Sequence, residues 1–270
     1  MGDQNYFVFD CDPKYPVEPV LEQLKTQNIA FETTQEGDVI RLWVKDPKWV
    51  EPVAQFYRQY CHQQDYKFSI SNLVKTPVTT FLLVFAILVA LFTQLGQQFT
   101  SYFFIADIQY YPRGWNFFEG EWQFLWRSFS PIFLHFSIEH LIFNSLMVWY
   151  IGSLLERNIG SIWFGILVFG CAAVSNYSQL LDSGPLFGGL SGVAYGLVVF
   201  AFLYQKQQRQ LFIPKGMFTL AFVWMVLGFT QVLSLIGLGN MANVAHLSGA
   251  LAGGFIYGAF LFLPVFRSKK

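Results

Sequence analysis

Charge is scarce in this chain: Asp, Glu, Lys and Arg make up only 13% of its 270 residues, about half the share of a soluble domain. Cysteine is scarcer. Cys11, Cys61 and Cys171 lie far apart, and no CxxC pair occurs. That excludes a disulfide framework and a thiolate zinc site, and free thiols are expected. The net charge is zero and no basic cluster is present, so there is no phosphate-binding track and no nucleic-acid partner is expected. HExxH is absent, Glu139 precedes His140 instead of following a histidine, and His135 and His140 match no zinc spacing. No metal is expected. The opening MGDQNYFVFD has neither a basic start nor an apolar core and does not read as a signal peptide.

What the chain has is apolar surface. Hydrophobic residues make up 54%, aromatics 19%, and the mean hydropathy is +0.39, a composition that points to a membrane protein. The charges that exist are unevenly placed. Residues 1–76 hold 11 acidic and 8 basic side chains; the remaining 194 residues hold 6 and 9. The expected organisation is therefore a small cytoplasmic α/β domain over 1–62, a polar linker over 63–76, an apolar six-helix domain over 77–266 and a short tail at 267–270.

In the charged head, YFVFD (6–10) and DVIRLWVKD (38–46) read as strands. Residues 17–27 and 48–61 read as helices with prolines near their starts. The head holds no nucleophile–base pair and no glycine-rich loop, so a regulatory or interaction role is expected of it.

The body carries apolar segments at 78–95, 138–155, 162–181, 190–204, 217–238 and 242–266. A bilayer crossing takes about 20 residues. Lys and Arg mark alternate connections: Arg157; Lys206, Arg209 and Lys215; then Arg267, Lys269 and Lys270. Connections 182–189 and 239–241 carry none. The positive-inside rule then places both termini in the cytoplasm and the 96–137 and 182–189 loops outside. Trp115, Trp122 and Trp126 suit an outer interfacial element.

The fourth segment is short. About 15 residues span about 22 Å, against roughly 30 Å of hydrocarbon. Its inner end is fixed by QKQQRQ, so its outer end, at Ser191, should lie below the outer surface. The loop DSGPLFGG must dip into the membrane, which is tolerated only where it is buried in protein or lines a wet cavity.

Polar residues at that depth are functional candidates. His140 and Asn144, four apart, share one helix face. His246 lies about one turn into the last segment. Gly249-x-x-x-Gly253 shares its stripe and permits close helix approach. If the fourth helix is the partner, His246 meets Ser191, and Tyr195, one turn below the serine, supports the imidazole ring. The chemistry of such a meeting is acyl transfer. Imidazole takes the serine proton. The free N–H groups of a helix start, with the His140 and Asn144 side chains, stabilise the oxyanion. With no acid near His246 in sequence, a Ser–His dyad is expected. Blander readings stand beside each residue. Ser191 can be a helix cap, His246 a buried histidine bonded to a carbonyl, and His140 and Asn144 glue between helices. His135 reads as structural, holding the first loop. Ser175 and Gln179 read as wetting the cavity.

Taken together, WRSF (126–129), HFSIEHLIFNSL (135–146), FGGLSGVAYG (187–196) and NVAHLSGALAGG (243–254) resemble the rhomboid intramembrane serine proteases, most closely the bacterial GlpG-type branch with an N-terminal cytoplasmic domain. The resemblance covers about residues 78–266. It implies a polytopic α-helical membrane protein with a six-transmembrane-helix rhomboid fold, preceded by a small soluble α/β domain, in the bacterial inner membrane. It implies cleavage of a peptide bond in or near the transmembrane segment of a membrane-protein substrate, with the lipid bilayer as the other partner and no cofactor. Ser191 would be the nucleophile and His246 the general base and acid. His140, Asn144 and the Ser191 backbone N–H would form the oxyanion hole. Gly189, Tyr195, Gly249 and Gly253 would support them, and Phe143 and Trp224 fall where a lateral substrate gate is placed. Pro131 stands where relatives can have a histidine. The alternative is a rhomboid-like membrane-protein binding or quality-control factor that does not cleave; such a protein would lack the nucleophile or the base. A transporter would show paired broken helices and repeated halves, which are not seen.

Overall fold

The computed structural model describes residues 5–65, 74–106, 122–207, 213–230 and 241–262. Expectations for Trp115, for Arg209, for most of the linker and for the ends of the fifth and sixth apolar segments lie outside these. The chain divides into two compact units, Met1–Ser69 and Ile70–Lys270.

In the first unit, strands β1 (Tyr6–Cys11), β2 (Phe31–Glu36) and β3 (Val39–Val44) form an antiparallel sheet of order β1-β3-β2. Helices α1 (Glu18–Thr26) and α2 (Val50–Asp65) complete it. Strand β2, FETTQE, was not expected. It has no apolar alternation, and only Phe31 is even half-buried. It is an edge strand held by its ladder to β3 and by a two-residue turn at Gly37 and Asp38, where Gly37 has φ +61°. Leu42 and Val44 of β3, Val20 and Leu24 of α1 and Val53 and Tyr57 of α2 are buried, and Phe9 stacks on Tyr57 at 3.9 Å.

The second unit is helical. Helix α3 is Pro77–Phe92, shorter than the expected 78–95. It stops because Gln94, Leu95 and Gly96 take positive φ, and the N–H of Leu95 folds back to the Ala90 carbonyl. Gly96 lies against the Phe136 ring, where no Cβ would fit.

Helix α4 runs Ile138–Ile159, past the expected end at 155. It contains a π-turn at Val148–Gly152, which absorbs one residue. On a regular helix Asn144 and Glu156 would sit about 120° apart; the π-turn reduces this to about 20°. Both side chains are buried. Glu156, 1% exposed, accepts the backbone N–H of Val78 and of Thr79 and the Thr79 hydroxyl, at 2.8–2.9 Å. It therefore caps the start of α3, whose own Thr76 makes no side-chain cap.

Helices α5 (Ser161–Ser183), α6 (Ser191–Gln207), α7 (Lys215–Gly228) and α8 (Asn243–Phe260) follow. Gly160 and Gly184, at φ +85° and +84°, bracket α5. Helix α6 reaches three residues beyond the expected 204, because its last turn carries GlnLysGln without a breaker. Among the described residues, α4 and α5 are long and apolar enough to cross a membrane by themselves, while α3 and residues 216–228 are apolar but shorter. Phe81, Leu88 and Leu91 of α3, Phe169 of α5 and Leu251 and Phe255 of α8 are exposed. Aliphatic and aromatic faces of this extent are stable only against an apolar surrounding.

Candidate active site

Segment 184–190 delivers Ser191 to the first position of α6. Gly184, Pro185, Phe187 and Leu190 are buried, and Phe187 packs on Ile105 and Ala106. Backbone buried in this way needs partners; the Gly189 N–H finds one in the Pro131 carbonyl at 2.9 Å. Gly189 has φ +125°, a conformation that side-chain-bearing residues avoid. A Cβ there would also lie 2.6 Å from His140 Nε2 and 3.3 Å from Asn144 Nδ2. The backbone just before the serine and these two side-chain nitrogens thus share one small space.

His246 comes from the first turn of α8. Helices α6 and α8 touch backbone to backbone: a Cβ on Gly249 would run into the Gly192 carbonyl oxygen, and one on Gly253 into that of Gly196. The pairing is between two G-x-x-x-G runs, 192–196 and 249–253. Ser191 precedes one run by a residue and His246 precedes the other by a turn. As a result His246 Nε2 lies 2.8 Å from Ser191 Oγ. The Tyr195 ring lies 4.8 Å from the imidazole, tilted 39°. His246 is 3% exposed. Among the described residues its Nδ1 has no hydrogen-bond partner, so no carboxylate orients the ring.

Helix α4 presents the second pair. Ser137 caps it, accepting the His140 N–H at 3.2 Å, which sets the rotation of the first turn. His140 and Asn144 then share the face toward Gly189. Asn144 Nδ2 also lies 3.2 Å from His135 Nε2, and His135 Nδ1 lies 3.1 Å from the Phe133 carbonyl. Burial, with the His140 ring beside it, pushes the His135 pKa down to about 3, which keeps that ring neutral.

Gln179 and Ser175, expected to wet a cavity, are instead buried and bonded within the protein. Gln179 is buried; its Oε1 accepts the Ala245 N–H at 2.8 Å and its Nε2 donates to Ser183 at 2.6 Å. It ties the first turn of α8 to α5, one residue before His246. Ser175 donates to the Ala172 carbonyl of its own helix and sits against Gly192. Phe143 and Trp224 have ring centroids 5.9 Å apart, joining α4 to α7. Sequence reasoning missed Gly192 and Gly196 as half of the helix contact, although their spacing is the same signal as that of Gly249 and Gly253. It noticed Gln179 and His135 as buried polar groups but not the bonds they make. Among the described residues no cluster of His, Cys, Asp or Glu stands together as a metal site.

A family model described as a rhomboid domain matches residues 122–264, more than half of the chain. A rhomboid protease GlpG of Serratia proteamaculans (strain 568) is 28% identical over 258 residues, 86% of this chain and 88% of the relative. A rhomboid protease GlpG of Yersinia pestis (strain Pestoides F) is 34% identical over 141 residues, 52% of this chain and 49% of the relative. The match therefore spans most of the first protein and about half of the second.

Proposed function

This chain belongs to the rhomboid family, and from that premise we propose that Ser191 and His246 are its catalytic dyad. The protein is an intramembrane serine endopeptidase, a hydrolase of membrane-protein substrates within a bilayer. The observation that carries the assignment of the dyad is the 2.8 Å contact between Ser191 Oγ and His246 Nε2.

The steps follow from the geometry. Nε2 takes the Oγ proton as Oγ adds to the scissile carbonyl carbon. The new oxyanion is held by the Ser191 backbone N–H, which has no intrahelical acceptor at a helix start, and by His140 Nε2 and Asn144 Nδ2 beside Gly189. The imidazolium, braced by Tyr195, gives its proton to the leaving amine. Water, deprotonated by the same ring, then cleaves the acyl ester and frees Ser191. The residues need no cofactor for this sequence.

The finer arrangement is part of the same reading. Residues 77–266 form six membrane spans in the bacterial inner membrane, with the 1–62 domain, the 63–76 linker and the 267–270 tail on the cytoplasmic side. The site opens to the outer face. Substrate enters from the lipid between α4 and α7, past Phe143 and Trp224.

Labelling of the detergent-solubilised protein with a fluorophosphonate tests the dyad. The expected result is an adduct on Ser191 that disappears in both Ser191→Ala and His246→Ala. A folded wild type that takes no label overturns the assignment.

A further inference from the structure

We infer that His135 is a positioning residue that sets which end of the Asn144 carboxamide faces the reacting oxygen. The inference rests on the reading of Asn144 as an oxyanion donor.

The tautomer follows from the bonds. A carbonyl oxygen only accepts, so the His135 nitrogen 3.1 Å from the Phe133 carbonyl, Nδ1, must carry the ring proton. In the neutral ring Nε2 then has a lone pair and no hydrogen. That lone pair faces Asn144 Nδ2 at 3.2 Å. The amide therefore uses one N–H on His135 and keeps the other.

The same nitrogen borders Gly189, 3.3 Å from the position of a Cβ there. Turned around, the carboxamide would set its oxygen against the Nε2 lone pair, and an acceptor would face the developing oxyanion. Both changes are unfavourable, so His135 selects the catalytically useful orientation before substrate arrives. Such preorganisation is what makes an oxyanion donor effective.

His135 can hold Asn144 because its own segment is held. His135 is fully buried. Ser130 Oγ donates to the Phe103 carbonyl at 2.7 Å. The Pro131 carbonyl accepts from both Leu134 N–H and Gly189 N–H. One short stretch, 130–135, thus fixes the backbone before the nucleophile and the orientation of one oxyanion donor.

The test uses His135→Asn, His135→Gln, Asn144→Ala and the double variant His135→Asn/Asn144→Ala, in the full-length protein with a transmembrane-segment substrate. Asparagine retains a donor for the Phe133 carbonyl but is too short to reach Asn144. Glutamine can place an acceptor where Nε2 stood. The expected result is a loss of about tenfold in kcat for His135→Asn with KM nearly unchanged, smaller than removal of a donor outright. His135→Gln should recover most of that loss. In the Asn144→Ala background His135→Asn should cost less than about twofold, because there is no carboxamide left to orient. A His135→Asn loss that multiplies in full onto Asn144→Ala, or a wild-type kcat in His135→Asn itself, overturns the inference. A wild-type kcat in Asn144→Ala alone removes the oxyanion reading itself, and with it the role given to His135. Thermal unfolding of each variant identifies any loss that comes from misfolding.

Discussion

Replacing Gly249 by alanine tests whether the helix contact sets the Ser191–His246 distance. The added Cβ would occupy the space of the Gly192 carbonyl oxygen. A methyl carbon needs about 3.5 Å from a neighbouring heavy atom, so α6 and α8 must separate by roughly 1 Å at this level. Overpacking of this kind costs about 1–3 kcal/mol. The larger effect falls on the site. Gly192 adjoins Ser191, and Gly249 lies one turn below His246, so the separation is passed to a contact that is now 2.8 Å. A misplacement of about 1 Å costs on the order of a hundredfold in rate. The measurement is the rate of fluorophosphonate labelling and of substrate cleavage, with thermal unfolding alongside. Gly258→Ala is the control: it lies on the same helix with nothing within 4 Å of a new Cβ, and it should leave labelling unchanged. A folded Gly249→Ala that labels at the wild-type rate would refute the argument that this contact sets the Ser–His distance.

Glu156→Ala should lower stability by about 3 kcal/mol, because it leaves the buried Thr79 N–H and the half-buried Val78 N–H without their acceptor; thermal unfolding in detergent checks this. Gln179→Leu should weaken labelling of Ser191 more than Gln179→Glu does. Glutamate keeps an acceptor for the Ala245 N–H and leucine does not. In the charged head, burial, then the neighbouring Cys61 and Asp10, push the Cys11 thiol up to about 11. At pH 8 about one molecule in a thousand is then thiolate. Iodoacetamide should spare Cys11 in the native protein, with reactivity rising about tenfold per pH unit until the thiol titrates. Rapid modification at pH 8, read by mass spectrometry, would show that Cys11 is not buried.

Much of the body was legible because a bilayer constrains sequence severely. Apolar runs mark helices, because backbone polar groups in lipid must be satisfied within the segment. Ser191, His140, Asn144 and His246 stood out as polar groups near the ends of such runs. Helix ends were less legible. Helix α3 stops where Gln94 and Leu95, neither a glycine, turn left-handed, and nothing local in Phe-Thr-Gln-Leu announces it. Strand β2 was invisible because all its side chains but Phe31 face solvent, and its partner β3, not its own pattern, makes it a strand. The π-turn in α4 likewise answers to packing at both ends of the helix, where Asn144 and Glu156 must both point inward.

The sequence by itself determined which chemical groups are available and at what spacing on each segment. These are properties of a single helix or loop, set by its periodicity and its ends. The tertiary structure decided the distances between segments. Ser191 and His246 are 55 residues apart, and Gln179 and Ala245 are 66 apart. Proton transfer and hydrogen bonding change steeply over fractions of an ångström, and that scale is set by how two helix backbones pack. Here it is set by glycine carbonyls and missing methyl groups between α6 and α8, and by the segment around His135 that holds Asn144 in place.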